Sequence, residues 1–286
     1  MNAPMRRWWF NEASSTSMSI RSKLRRMAIG ASLCGSVLSV CAQTANEKIA
    51  KYREMLADGN PAELYEMAGE DLWKTPAGPK YASLQACDLG LGAGVVDGAA
   101  ARLPRYFTDT QRVQDLESRL MTCMESLQGI PEANVVNANF GEGPKKTIAA
   151  LVAYIVAHSK GTKIHVSGAH PEEKRMYALG KEAFFYQSGP YDFACASCHS
   201  ADGKRIRLQD LPNLLTRSGA SFAWGSWPAY RVSNGEFWTM QQRLNDCLRQ
   251  QRMPYLVYGS DLSVALSMFL AKNANGGEML APGLKR

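Results

Sequence analysis

Cys195-Ala-Ser-Cys198-His199 sets two thiols three residues apart and places an imidazole directly after the second. This is the spacing that attaches haem c covalently: two thioethers grip two vinyl groups, and the histidine presents a nitrogen to the iron. A redox C-x-x-C, or half of a zinc site, would use the same two cysteines. A zinc site needs a second ligand pair, and no other Cys/His pair in the chain has suitable spacing. Further on, Arg243 and Cys247 lie four residues apart, so one helix face carries both. A guanidinium fork suits the oxygens of a small anion, and a cysteine sulfur is both a nucleophile and a metal ligand.

These groups need helices to hold them. Upstream, RMYALGKEAFFYQSG reads as an amphipathic helix with Tyr177, Phe184 and Phe185 available to one face, and with Gly180 permitting close helix packing. Downstream, DLSVALSMFLAK places Leu262, Leu266, Phe269 and Leu270 at the spacing of a packed closing helix. Helix, C-x-x-C-H, loops and closing helix is an order that resembles the class I cytochrome c family, over about residues 175–276.

The first half carries a worn copy of the second. Pro104-x-Tyr106 followed by Arg119-Leu120-x-x-Cys123 recurs as Pro228-x-Tyr230 and Arg243-Leu244-x-x-Cys247, at an offset of 124. Earlier in each half, Gly69 with Gly78-Pro79 matches Gly180 with Gly189-Pro190 at an offset of 111, which sets Cys87 against Cys198, Leu84 against Cys195 and Asp88 against His199. The fold expected is therefore mainly α: two tandem class I cytochrome c-like domains, the first without haem. Cys87 and Cys123 would face each other across the vacated pocket and are expected to form a disulfide. Closing the 36 residues between them would stabilise the fold by roughly 4 kcal/mol. By the same repeat Cys247 would stand over the remaining haem as sixth ligand opposite His199, with Met240 and Met253 as alternative ligands.

Residues 1–42 read as a signal peptide: Arg21, Lys23, Arg25 and Arg26 precede the apolar run MAIGASLCGSVLSV, and Val40-Cys41-Ala42 forms a cleavage site. That leader holds +5 of the net +7, leaving about +2 for the mature chain. With no basic stripe interleaved with aromatics, nucleic acid is set aside. Cys34 and Cys41 leave with the leader, and the other five cysteines enter an oxidising compartment in a chain without a membrane anchor. The expected domains are 43–165, without haem, and 166–286, with one covalent haem c.

WPAYRVSNGE followed by RLNDC, together with CDLGLGAGVVDG, LPRYFTDTQRVQDLESRLMTC and the C-x-x-C-H motif, resembles the SoxA family, the catalytic cytochrome subunits of a thiosulfate-oxidising complex. The similarity runs over nearly all of the chain beyond the leader, in a single-haem form. The resemblance implies a periplasmic L-cysteine S-thiosulfotransferase that conjugates thiosulfate oxidatively to a cysteine thiol of a SoxYZ-type carrier protein. A SoxX-type cytochrome subunit would be its heterodimer partner. It also implies that Cys247 ligates iron through its sulfur, often as a persulfide, and that Arg243 stands beside it in the active site. On spacing alone Arg243 could equally pair with Asp246 or Glu236. Lys204, Arg205, Arg207, Arg249 and Arg252 could add positive potential. The alternative is a plain periplasmic electron-transfer cytochrome c with methionine on the iron. A docking subunit with Cys247 off the iron is a third reading.

Overall fold

The computed structural model describes residues 59–206 and 209–286. The leader expected over 1–42, residues 43–58 of the first expected domain, and Arg207 lie outside the described residues.

The first half runs through α1 (Ala62–Lys74), a hairpin of β1 (Arg105–Phe107) and β2 (Arg112–Gln114), α2 (Leu116–Cys123), a short α3 (Glu132–Val136) and α4 (Gly143–Ala157). The second half follows with α5 (Pro171–Phe185), α6 (Cys195–His199), a two-residue ladder of β3 (Arg205–Ile206) and β4 (Gln209–Asp210), and α7 (Arg217–Gly225). It continues with a hairpin of β5 (Ala229–Arg231) and β6 (Glu236–Trp238), then α8 (Met240–Gln250), α9 (Asp261–Asn273) and β7 (Gly283–Lys285).

Each half is clamped by one helix pair with a glycine at the crossing. A Cβ on Gly69 would enter the carbonyl of Ala150, and one on Gly180 would enter the carbonyl of Ala265. Close backbone approach is what these glycines provide. Of the aromatic face expected on α5, Phe184 is buried, Tyr177 is partly buried and Phe185 is exposed. Residues 177 and 184 are seven apart and share a stripe, while 185 is turned about 100° away. Leu262 is likewise exposed at the start of α9, whereas Leu266, Phe269 and Leu270 are buried.

The repeat is visible in the backbone. Isolated bridges join Ala77 to Ala82 and Ser188 to Phe193, and the left-handed residues Tyr81 and Asp192 fall inside them, all at the offset of 111. The two hairpins pair in the same register at the offset of 124: Tyr106 opposes Val113, and Tyr230 opposes Phe237. An N-cap follows each hairpin. Asp115 Oδ1 accepts the Ser118 N–H at 2.9 Å, and Thr239 Oγ1 accepts the Gln242 N–H at 3.3 Å. The second half adds β7, which lies parallel to β5.

The core is continuous from one half into the other, with Trp73, Leu120, Ile148 and Ile155 in the same cluster as Phe237, Val264, Met268 and Ala271. Polar ties reinforce it: Glu173 on α5 accepts the Tyr106 N–H at 2.9 Å, and the Tyr106 and His170 rings stack at 3.7 Å. Among the described residues no helix is long and apolar enough to cross a membrane.

Candidate haem and thiol site

α6 is a single turn that carries Cys195, Cys198 and His199 along one edge of the second half. Ser197 Oγ closes its start by accepting the Ala194 N–H at 3.0 Å. His199 Nδ1 donates to the Pro212 carbonyl at 2.9 Å, which leaves Nε2 as the nitrogen available to a metal. Burial holds the His199 ring below its ordinary pKa, the Pro212 bond opposes this, and the Arg243 charge lowers it further. The imidazole is thus kept neutral, the form that ligates iron. Phe184, Leu214, Leu266, Phe269 and Leu270 form an apolar wall against Cys195, Ala196, Leu244 and Leu256. Two free thiols, a neutral imidazole with its outer nitrogen occupied, and a dry wall fit a covalent haem c.

α8 carries Arg243 and Cys247. Its first turn is held from the other half of the molecule: Glu117 accepts the Gln241 N–H at 2.9 Å, and Asp115 accepts from the Gln241 side chain at 2.8 Å. The Gln241 side-chain oxygen Oε1 in turn accepts the Gly259 N–H at 2.8 Å, fixing the loop into α9. Cys247 is a free thiol, raised in pKa chiefly by burial; Arg243 opposes that rise, Asp246 and Cys198 add to it, and Arg231 opposes it again. Cys195 is pushed up to about 11 by burial first and then by Cys247. The three thiols therefore stand close enough for a charge on one to be felt at another.

Arg243 does take the ion pair that spacing allowed: its Nη1 donates to Asp246 at 3.0 Å. The Asp246 carboxylate is almost wholly buried and also accepts from Arg249 at 2.7 Å and from Gln250 at 2.7 Å. The Arg243 guanidinium lies 5.6 Å from the Trp227 ring, so it is oriented rather than free to swing. Of the other cations suggested by the sequence, Arg205 pairs with Asp210 at 3.0 Å, Arg252 lies over Tyr191 and Lys204 is exposed. Met240 lines a small cavity between the halves with Leu103, Val156 and Met279. It is two helical turns, about 10 Å, from Cys247. Met253 is buried, with its backbone against Gly189.

In the first half the same places are filled differently. Cys87 and Cys123 are joined by a disulfide with their Cα atoms 5.6 Å apart. At the place of His199 is Asp88, whose Oδ1 accepts the Gly90 N–H at 2.6 Å. Leu84, at the place of Cys195, lines an apolar cavity of about 430 Å³ with Leu72, Met124 and Ile130. Arg119, the counterpart of Arg243, is neutralised by Asp109 at 2.8 Å and donates through Nε to the Asp88 carbonyl at 2.6 Å.

Reasoning from sequence missed Arg231, Trp227, Trp238, Pro212 and Glu117 as parts of the site. Each comes from a different element and reaches α6 or α8 only through folding. The sole signal for Arg231 was its place inside the WPAYRVSNGE stretch.

The family model described as the SoxA/TsdA cytochrome c domain matches residues 68–164, the half that lacks C-x-x-C-H. Over 238 residues the chain is 60% identical to the L-cysteine S-thiosulfotransferase subunit SoxA of Hydrogenophilus thermoluteolus, covering 83% of this chain and 87% of that one. It is 36% identical over 259 residues to a subunit of the same name from Hydrogenobacter thermophilus, covering 88% of this chain and 94% of that one. A crystal structure of SoxXA from P. pantotrophus shares the fold, with a TM-score of 0.68 over 82% of this chain and 84% of that chain at 21% identity.

Proposed function

Because the chain belongs to the SoxA family of L-cysteine S-thiosulfotransferase subunits, we propose that it joins thiosulfate to a cysteine thiol of a carrier protein through Cys247. The observation that carries this reading is Cys247 itself: a free, half-buried thiol beside the C-x-x-C-H cysteines, one helical turn from an oriented arginine.

In this account Cys195 and Cys198 would hold one haem c through thioethers, and His199 and Cys247 would supply a nitrogen and a sulfur to its iron. Cys87–Cys123 stabilises a haem-free domain over 43–165, and the haem domain spans 166–286. The protein works in the periplasm after loss of a leader over 1–42, beside a SoxX-type cytochrome subunit and a SoxYZ-type carrier. Supporting that place are the oxidising chemistry of the disulfide and the cytochrome c family match.

Arg243 holds the sulfonate of thiosulfate so that its terminal sulfur meets the Cys247 sulfur. A sulfur–sulfur bond forms, the Cys247 thiolate and the thiosulfate dianion together lose two electrons, and Cys247 then carries an S-thiosulfonate (Cys–S–S–SO3) of charge −1. When bound, haem c supplies a one-electron acceptor, so a second acceptor on the partner cytochrome is required. The carrier's thiolate next attacks the sulfane sulfur of the adduct. The bond to Cys247 breaks, the carrier leaves as its S-thiosulfonate, and Cys247 regains its thiolate. Asp246 keeps Arg243 aimed at the sulfonate throughout, and the apolar wall excludes water that would hydrolyse the adduct.

The test is thiosulfate conjugation by the haem-loaded complex with Cys247→Ala in place of the native chain. Loss of conjugation by about 1000-fold or more is expected, since the sulfur acceptor is removed. Full activity in that variant would overturn the role of Cys247, and methionine ligation with a high potential would favour an electron carrier instead.

A further inference from the structure

Arg231 closes β5, facing Glu236 across the hairpin. Glu236 does not neutralise it, because its carboxylate accepts the Trp238 indole N–H at 3.0 Å. The Arg231 Nε is buried and has no hydrogen-bond acceptor. Its guanidinium lies 5.2 Å from the Trp238 ring, as that of Arg243 lies 5.6 Å from Trp227. Arg231 feels the Arg243 charge, which the Asp246 carboxylate partly offsets, and both cations act on Cys247. A buried N–H donor without an acceptor, next to a second cation, is unfavourable in the free protein. A bound anion reverses that penalty.

The other half of the molecule serves as an internal control. At the offset of 124, Phe107 occupies the place of Arg231, and Arg119 that of Arg243. There the arginine lies 4.0 Å over the Phe107 ring and is paired with Asp109. Each half pairs its helix arginine with an aspartate, Arg119 with Asp109 and Arg243 with Asp246, but at the place of Arg231 the first half has a phenyl ring, with the backbone-bonded Arg105 also over it. Only where the free cysteine and the C-x-x-C-H motif are present is a second arginine at that place, with a buried donor left open.

We propose that Arg231 and Arg243 form a two-arginine clamp for the sulfonate end of thiosulfate, with Arg231 a second substrate-binding residue. This rests on the Cys247 reading above. Thiosulfate carries two charges and three sulfonate oxygens, so one fork pairs only part of it. Arg231 supplies the open Nε–H and the second charge, and it continues to hold the sulfonate while the sulfane sulfur is bonded to Cys247.

The experiment compares native protein, Arg231→Gln, Arg231→Lys and Cys247→Ala as haem-loaded complexes with the partner cytochrome. KM and kcat for thiosulfate conjugation are read at fixed ionic strength, beside the haem optical and EPR spectra. Arg231→Gln is expected to raise KM about tenfold while kcat changes less than about threefold, because a group that binds substrate and transition state alike acts on KM. Arg231→Lys recovers only part of the loss, since an ammonium is not a fork. The haem spectra stay unchanged. A KM within about twofold of native in either variant overturns the clamp. So does an unchanged KM with altered haem spectra, which would assign Arg231 to a haem carboxylate. Activity retained in Cys247→Ala overturns the underlying reading separately, whatever Arg231 does.

Discussion

A half-buried cysteine sulfur that feels two guanidiniums is chemically tuned by its neighbours, and Asp246 controls one of them. Its carboxylate accepts from Arg243, Arg249 and Gln250 at once, so it fixes the fork of Arg243 relative to Cys247 one turn on. Asp246→Asn keeps the shape but replaces a charged acceptor with a neutral one that has fewer lone pairs to offer. The kcat/KM for thiosulfate is expected to fall about tenfold, or ~1.4 kcal/mol, with the haem spectrum unchanged. An unchanged kcat/KM would mean that Arg243 is oriented by Trp227 alone. At this scale the sequence was informative wherever the chemistry is local. C-x-x-C-H and the Arg243/Cys247 pair are read from spacing, because a helix turn maps spacing directly onto a face. Arg231, Pro212 and Glu117 were not legible, because each meets the site from a separate element.

The helix pairs set where those side chains stand. α5 and α9 touch backbone to backbone at Gly180, and α1 and α4 do the same at Gly69. Gly180→Ala would drive a methyl group into the Ala265 carbonyl, and neither partner is a flexible side-chain end. A loss of about 2 kcal/mol or more is expected, seen as a lower urea midpoint, and Gly69→Ala should cost about as much. A change below about 0.5 kcal/mol would show that the helices can part without penalty. The helices and the glycine contacts were foreseen because apolar periodicity and repeat offsets extend over many residues. The hairpins were not, since three-residue strands such as Arg105–Phe107 are too short to show a period. The ladder Arg205–Asp210 and the helix Arg217–Gly225 lie in the stretch where the repeat offset grows from 111 to 124, which the sequence displayed only as a gap.

Across the whole molecule, the two halves act as one body joined at a buried polar node. Glu117 is held at a pKa of about 7, against 4.5 ordinarily, by burial first and then by the Asp115 charge. Between those values the folded chain keeps a proton that the unfolded chain has released. Its stabilising contribution is therefore full below about 4.5 and is lost as pH rises through about 7. The difference is on the order of 3 kcal/mol. Glu117→Gln keeps an oxygen for the Gln241 N–H and removes the titration. Its unfolding free energy should fall less than that of the native protein between about pH 5 and pH 8, and at pH 8 it should be the more stable of the two. Denaturant unfolding at both values checks this; parallel curves for the two proteins would exclude Glu117 as the titrating group. The union of the halves was not legible, because Glu117 and Gln241 are 124 residues apart and no local pattern links them.

The most direct test of the central claim is peptide mass spectrometry of the unreduced, haem-loaded protein after turnover with thiosulfate and an oxidised cytochrome acceptor. The account predicts a Cys247 peptide heavier by one sulfur atom or by a whole thiosulfate, with haem on the Cys195/Cys198 peptide. A Cys247 peptide that is unmodified and freely alkylated after turnover would contradict it.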